Sequence, residues 1–339
     1  MQQSALPDER RPVSVPKPCR RRVPDHDMDR HATAEPSNTR VMSSTATTPA
    51  QAPGFARTSV GGITVTTVYD GALPILATDM HGESPERISE LLADGFLPPE
   101  GDLLTAVNTF LFRTGGRTVL VDAGAGTSLG PGTGHLLENL RAAGVSPELV
   151  DDVLITHLHP DHAFGLVTAG GEAAFPSATV HLSALDAQHW LNDAAAAEGV
   201  HAQIHRWAAQ ALTPYRARGR FSTFAYGEQP VRGVTSVDLH GHTPGHSGYL
   251  VSGDGERLLL WGDTMHSHTV QLRAPHVAMD IDSDRPGARA ARMRILDEIR
   301  MRGWVVGGAH LPFPGIGRIR FRQGEARWVP APYRPLECA

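Results

Sequence analysis

The segment that most restricts what this chain can become is Thr156-His157-Leu158-His159-Pro160-Asp161-His162, which follows directly on the apolar run Val153-Leu154-Ile155. Three imidazoles and a carboxylate packed into six residues make a poor surface but a good transition-metal cage, because imidazole and carboxylate are zinc-type ligands. In an extended segment residues i, i+2 and i+4 point to one side. The spacing therefore predicts that His157, His159 and Asp161 face one cavity while His162 turns toward a neighbouring one, an arrangement for two metals. One loop cannot close two coordination shells, so further ligands are required downstream. The chain supplies candidates in Gly241-His242-Thr243-Pro244-Gly245-His246-Ser247, in Asp263 just past Leu258-Leu259-Leu260-Trp261, and in His310 of Gly308-Ala309-His310-Leu311-Pro312.

The H-x-H-x-D-H motif followed in order by His, Asp and His resembles the metallo-beta-lactamase superfamily, over Pro53 to about Val329. Within it, Gly54-Phe55, Val107-Asn108-Thr109, Val121-Asp122-Ala123-Gly124-Ala125-Gly126 and Ala309-His310-Leu311-Pro312-Phe313-Pro314-Gly315 resemble the methyl parathion hydrolase branch, close to the quorum-quenching lactonases. The resemblance implies two Zn2+ or other divalent transition metals per chain. It places His157, His159 and His246 on one ion, Asp161, His162 and His310 on the other, and Asp263 between them. Two such ions about 3.5 to 4 Å apart make hydroxide available at neutral pH and polarise the substrate oxygen. Asp161 or Asp263 then passes a proton to the leaving group, since no other general acid carries a motif. Asp122, ending an apolar strand, is expected to orient a ligand imidazole through its far ring nitrogen, and His242 is expected to support the His246 turn in the same outer role.

The first 52 of the 339 residues lack apolar periodicity, so residues 1–52 are expected to be a disordered tail before a single domain, 53–339. Arg20-Arg21-Arg22 is not followed by an apolar stretch, which argues against an export signal and for a cytoplasmic protein; Met28 or Met42 could be the true start. A net charge of -5 speaks against a nucleic-acid partner. Cys19 and Cys338 lie at opposite chain ends, offering neither a disulfide framework nor a metal ligand. No apolar run approaches the ~20 residues that cross a bilayer, so no membrane role is expected.

Paired glycines at Gly61-Gly62 and Gly115-Gly116 predict two opening hairpins. Helices are predicted from Pro85 with Ser84 as N-cap, over Leu136 to Gly144, over most of Ser183 to Leu212, and over Arg289 to Arg302. Strands are predicted at Val153–Ile155, Thr179–Leu182, Thr235–Leu239, Gly248–Val251, Leu258–Trp261, Val277–Ile281 and Trp304–Val306. Strands in two groups with helices between them predict an α/β fold of two face-to-face sheets covered by helices, the four-layer αββα sandwich that the resemblance also implies.

Eighteen histidines cannot all be ligands. His266 and His268 are read either as lining the cleft or as packing, and His81, His135, His181, His189, His201, His205, His240 and His276 as solvated or hydrogen-bonded. With no basic motif to clamp an anion, Leu129, Trp190, Trp207 and Phe313 are the expected apolar walls. They favour small neutral phosphotriesters, aryl esters or lactones over charged substrates, with at most a second copy of the chain, in a homodimer, as partner. The alternatives are an N-acyl homoserine lactonase, a glyoxalase II-like thioesterase, which would want a basic, tyrosine-rich C-terminal segment, and a catalytically silent metal-binding module.

Overall fold

A computed structural model describes residues 51–99, 101–192 and 200–334, so that the expected tail lies outside the described residues but for its last two positions. The fold is that of the compact unit Ala52–Leu336. It opens with the hairpin β1 (Phe55–Val60) and β2 (Ile63–Leu76), followed by β3 (Met80–His81) and α1 (Pro85–Asp94). Gly61 and Gly62 turn that hairpin at φ 50° and 77°, where a side chain is disfavoured. Ser84 caps α1 by accepting from the Arg87 N–H, and Pro85 starts it with a fixed φ, as the sequence predicts. There follow β4 (Asp102–Thr114), β5 (Arg117–Val121), α2 (Leu136–Ala142), β6 (Asp152–Leu154), α3 (Pro160–Ala163), β7 (Thr179–Ser183), α4 (Ala184–Trp190), α5 (Val200–Arg216) and β8 (Phe221–Phe224). The second half holds β9 (Val234–Asp238), β10 (Ser247–Ser252), β11 (Arg257–Leu260), α6 (His268–Gln271), β12 (Ala278–Met279), α7 (Arg285–Arg302), β13 (Val305–Gly307), β14 (Ile316–Arg322) and β15 (Glu325–Pro330).

The strands form a seven-stranded sheet in the order β1-β2-β4-β5-β6-β7-β8, a six-stranded sheet in the order β15-β14-β13-β11-β10-β9, and a small pair β12-β3. Side chains alternate between sheet faces with period two, and that alternation builds the layers. Phe110, Phe112, Val119 and Val121 of the larger sheet meet Tyr249, Val251, Leu258 and Leu260 of the smaller one in a shared core. The residues between them face outward: Leu111 and Leu120 pack with Leu140 of α2 and Leu212 of α5. Leu250, Leu259 and Val306 pack with Ile295, Leu296 and Ile299 of α7. The result is the four-layer αββα sandwich. No helix among the described residues is long and apolar enough to cross a membrane.

Two expectations shift. The strand expected over Val277–Ile281 shrinks to Ala278–Met279, because Asp282 folds back to accept from the Met279 N–H at 2.8 Å. Strands β8, β14 and β15 lie where no strand is expected from the sequence. The placement that matters for function is that β5 and β6 are parallel neighbours, as are β11 and β13. Asp122, the His157 loop, Asp263 and His310 thus all follow the carboxyl ends of strands, where crevices form in such sheets.

Candidate metal centre

Beyond β6 the chain runs extended to His159 (φ -68°, ψ 154°), and Pro160 then starts the single turn α3. This corrects the strand-like alternation expected from spacing. Proline fixes its own φ in the helical range and favours an extended residue before it, so His157 and His159 share one cluster while the helical neighbours Asp161 and His162 share another. The first cluster brings together His157, His159, His242 and Asp263, and the second Asp161, His162, Asp263 and His310. Within each, the candidate ligand atoms lie within 4.8 Å of one another.

Asp263 joins the two clusters. Its Oδ1 lies 3.0 Å from His162 Nε2 and 3.2 Å from His310 Nε2, while its Oδ2 lies 3.2 Å from His242 Nε2 and 3.7 Å from His157 Nε2. Most of the rings are held from behind. Asp122 Oδ2 stands 2.9 Å from His162 Nδ1 and also accepts from the Thr156 hydroxyl, while its Oδ1 takes the Thr156 N–H. Asp282 Oδ1 stands 2.9 Å from His242 Nδ1, the Thr156 hydroxyl 3.0 Å from His157 Nδ1, and the Ala106 carbonyl 2.7 Å from His310 Nδ1. Such contacts fix which nitrogen faces a metal.

The expected roles of His246 and His242 are exchanged. His246 Nδ1 donates to the Leu239 carbonyl at 2.8 Å and its Nε2 accepts the Asp263 N–H at 3.0 Å, so both ring nitrogens are used and neither can serve as a ligand. His242, expected in the outer role, points Nε2 into the first cluster, 2.9 Å from His159 Nδ1. Gly262, at φ 51°, is required here: a Cβ would stand 2.5 Å from His246 Nε2, so the Gly262-Asp263 turn can sit directly on that ring. Position within the G-H-T-P-G-H turn could not rank the two histidines, since both fall in a loop before β10.

Three buried polar atoms in the clusters, His157 Nε2, His162 Nε2 and Asp263 Oδ1, have no hydrogen-bond partner. Burial without a partner is costly, and all three atoms face their fellow candidate ligands. A cation held among these residues would satisfy them, and imidazole with carboxylate is the donor set that divalent transition metals take. The electrostatics agree. Burial, with neighbouring imidazoles adding to it, holds His157 and His159 well below their usual range, in the neutral form that can donate an electron pair. Burial also opposes charge on His162 and His242, but the surrounding carboxylates outweigh it, raising His162 well above its usual range and His242 to about 9. Asp263 is likewise buried, yet the His162 and His310 rings hold it well below the ordinary carboxylate range.

Of the expected pocket residues, Trp190 is not a wall. It is 2% exposed and packs edge-on under His159, ring centroids 5.5 Å apart, which makes it core behind the site. Trp207 is half-buried against Phe164 at 5.6 Å, and Leu129 is half-buried. Phe313 is 39% exposed and meets Tyr69 edge-on at 5.6 Å. His266, left open between lining the cleft and packing, has its Nε2 3.1 Å from Asp263 Oδ2 and its ring stacked on His310. Asp282, Asp186 and Arg292 were not expected at the site. Lone polar residues in helices and turns carry no spacing signal.

The layered fold and its paired His/Asp clusters at converging strand ends define a metal-dependent hydrolase. The chain belongs to the metallo-beta-lactamase superfamily, whose domain matches residues 103–310, more than half of its length. Among solved structures it is similar to the hydrolase AbOPH of the beta lactamase superfamily, with 33% identity and a TM-score of 0.81 over 84% of this chain and 100% of that one. AidC, a dizinc quorum-quenching lactonase solved with the product N-hexanoyl-L-homoserine, shares the fold at 23% identity and a TM-score of 0.75, over 83% of this chain and 99% of AidC. An N-acyl homoserine lactone hydrolase shares it at 17% identity and a TM-score of 0.55, over 74% and 98%. Comparison with curated proteins gave no match.

Proposed function

We propose that this chain hydrolyses small neutral phosphotriesters, aryl esters or lactones with two divalent ions, zinc foremost, one in each cluster. The observation that carries the reading is Asp263, a buried carboxylate that reaches both clusters: Oδ1 lies 3.0 Å from His162, Oδ2 lies 3.2 Å from His242 and 3.7 Å from His157, and both oxygens lie 3.2 Å from His310. That is the posture of a bridge between two ions. Bound there, a pair of divalent ions supplies Lewis acidity toward the substrate oxygen and a nucleophilic water at neutral pH. His157, His159 and His242 would hold the first ion; Asp161, His162 and His310 would hold the second. Asp161, with its side chain 13% exposed against 1% for Asp263, is the carboxylate better placed to hand a proton to a leaving group.

A neutral substrate follows from where the cations are. The buried guanidinium beside the site, Arg292, donates from Nε to the Thr264 carbonyl at 2.6 Å and from Nη1 to the Pro275 and Val277 carbonyls at 3.0 and 2.6 Å. No arginine among the described residues is hydrogen-bonded or paired to a cluster carboxylate, so an anionic phosphomonoester would meet no guanidinium clamp beside the metals. The similarity to the hydrolase AbOPH supports a hydrolytic reaction, and AidC, which shares the fold, is a lactonase. The test is a panel of a nitrophenyl phosphotriester, a nitrophenyl carboxylate ester, a small aliphatic lactone and nitrophenyl phosphate, run with zinc-loaded and chelator-treated enzyme. Turnover of the neutral substrates, lost on chelation and restored by zinc, is expected. Preference for nitrophenyl phosphate would overturn the substrate class.

A further inference from the structure

Behind the first cluster lies a carboxylate that touches no candidate ligand atom. Asp186, fully buried in the first turn of α4, accepts the Leu158 N–H at 2.9 Å through Oδ2. Its Oδ1 accepts the Thr243 hydroxyl at 2.5 Å and the Gly245 N–H at 3.2 Å. Leu158 stands between His157 and His159, and Thr243 directly follows His242. One side chain therefore ties together the two loops that supply all three imidazoles of the first cluster. Gly245 is shaped to this contact, since a Cβ there would come within 2.1 Å of the Asp186 N and 2.6 Å of its Cβ. The same helix carries Trp190, whose ring sits against His159. None of these contacts reaches Asp161, His162 or His310.

We propose that Asp186 is a positioning residue for the first cluster: it fixes the separation of the His157/His159 loop from the His242 loop and thereby sets how tightly that cluster holds its ion. The inference rests on the reading that both clusters bind metal. The carboxylate acts through geometry, because its two oxygens supply acceptors at the spacing that three donors on two separate loops demand. An amide at this position replaces one acceptor with a donor, so at least one of the three bonds is lost and one loop is released. Removing an outer contact of this kind typically costs 10 to 100-fold in metal affinity. The second cluster, anchored by Asp122 and the Ala106 carbonyl, has no link to Asp186 and should keep its affinity.

The experiment is stepwise titration of the metal-free full chain with Zn2+ against a chromophoric chelator, comparing wild type, Asp186→Asn, Thr243→Val and, to mark the first-cluster step, His242→Ala. The step lost in His242→Ala should weaken about 10 to 100-fold in Asp186→Asn and less in Thr243→Val, with the other step unchanged. Titration with Co2+ should show an altered visible band for that step alone. Two ions bound by every variant with wild-type affinities would overturn the role of Asp186. So would equal weakening of both steps together with a large fall in the unfolding temperature of the metal-free protein, which is what a merely structural residue would give. Thr243→Val keeps the test open should Asp186→Asn not fold. A wild type that takes up no second ion would instead overturn the two-ion reading itself.

Discussion

The two histidines of the turn before β10 differ in what their ring nitrogens have left to give. His242 keeps Nε2 for the first cluster, while His246 has donated one nitrogen to Leu239 and accepted Asp263 with the other. His242→Ala is therefore expected to lower the metal content from two ions toward one and to abolish turnover. His246→Ala should still take up two ions but lose about 1 to 3 kcal/mol of stability, because it leaves the Asp263 N–H and the Leu239 carbonyl buried without partners. Metal analysis beside chemical denaturation separates the two, and equal metal loss in both variants would contradict the assignment. Asp122→Asn probes the second cluster from behind. Asp122 sits at φ 61°, a conformation that asparagine shares, so the substitution leaves the backbone unstrained. It should weaken the second ion by about 10 to 100-fold by disturbing the contact to His162 Nδ1; an unchanged second affinity would show that Thr156 alone holds the ring. At this scale the sequence revealed which residue types gather but not which nitrogen faces the cavity. Orientation depends on partners such as Leu239 and Asp282, which are remote in the chain.

At the scale of elements, the legible parts were those with a strong local cause. Hairpin glycines, the Ser84 cap and apolar alternation specify β1, β2, α1 and the core strands, and their layering follows from period two. The turn α3 was not legible, because four residues carry no period and the histidine spacing fits a strand equally well. Strands β14 and β15 were hidden because arginines occupy the exposed face of β14, leaving Ile319 and Phe321 as a sparse inner stripe. Helix α4 was read as helix, yet its part in the site comes from Asp186, and the energetics of that residue can be tested. Burial pushes its carboxyl from the ordinary 3.8 up to about 6, against the pull of three hydrogen-bond donors. A carboxyl raised on folding lends stability below pH 3.8 and loses it as pH rises through about 6. Asp186→Asn cannot titrate there. In the metal-free state the stability of wild type relative to the variant should thus fall by about 2 kcal/mol from pH 4 to pH 6.5. A flat difference across that range would mean that the three donors cancel the cost of burial.

At the scale of the whole molecule, each cluster draws on both halves of the sandwich. His157, His159, Asp161 and His162 follow β6 of the seven-stranded sheet, whereas His242, Asp263 and His310 belong to segments leading into or out of strands of the six-stranded sheet. Bound ions would staple the two sheets at their site end, while the shared core of Phe110, Tyr249, Leu258 and their neighbours holds them elsewhere. Removing metal should therefore not unfold the protein but should lower its unfolding temperature, since an ion that binds only the folded state adds about 2.7 kcal/mol at a hundred times its Kd. For a domain of this size that is a shift on the order of 5 to 10 °C. The loss should also be local. Amide exchange in the metal-free protein is expected to rise around Thr156 to Ala163, His242 to Ser247 and Gly262 to Thr264, where backbone order depends on the clusters, and to stay slow in Phe110 to Phe112 and Leu258 to Leu260. Thermal unfolding and hydrogen exchange with and without chelator test both parts. An unfolding temperature indifferent to chelator and zinc would contradict the stapling, and exchange that rises evenly through both sheets would show that the metals hold the fold as a whole rather than the end where the site is built.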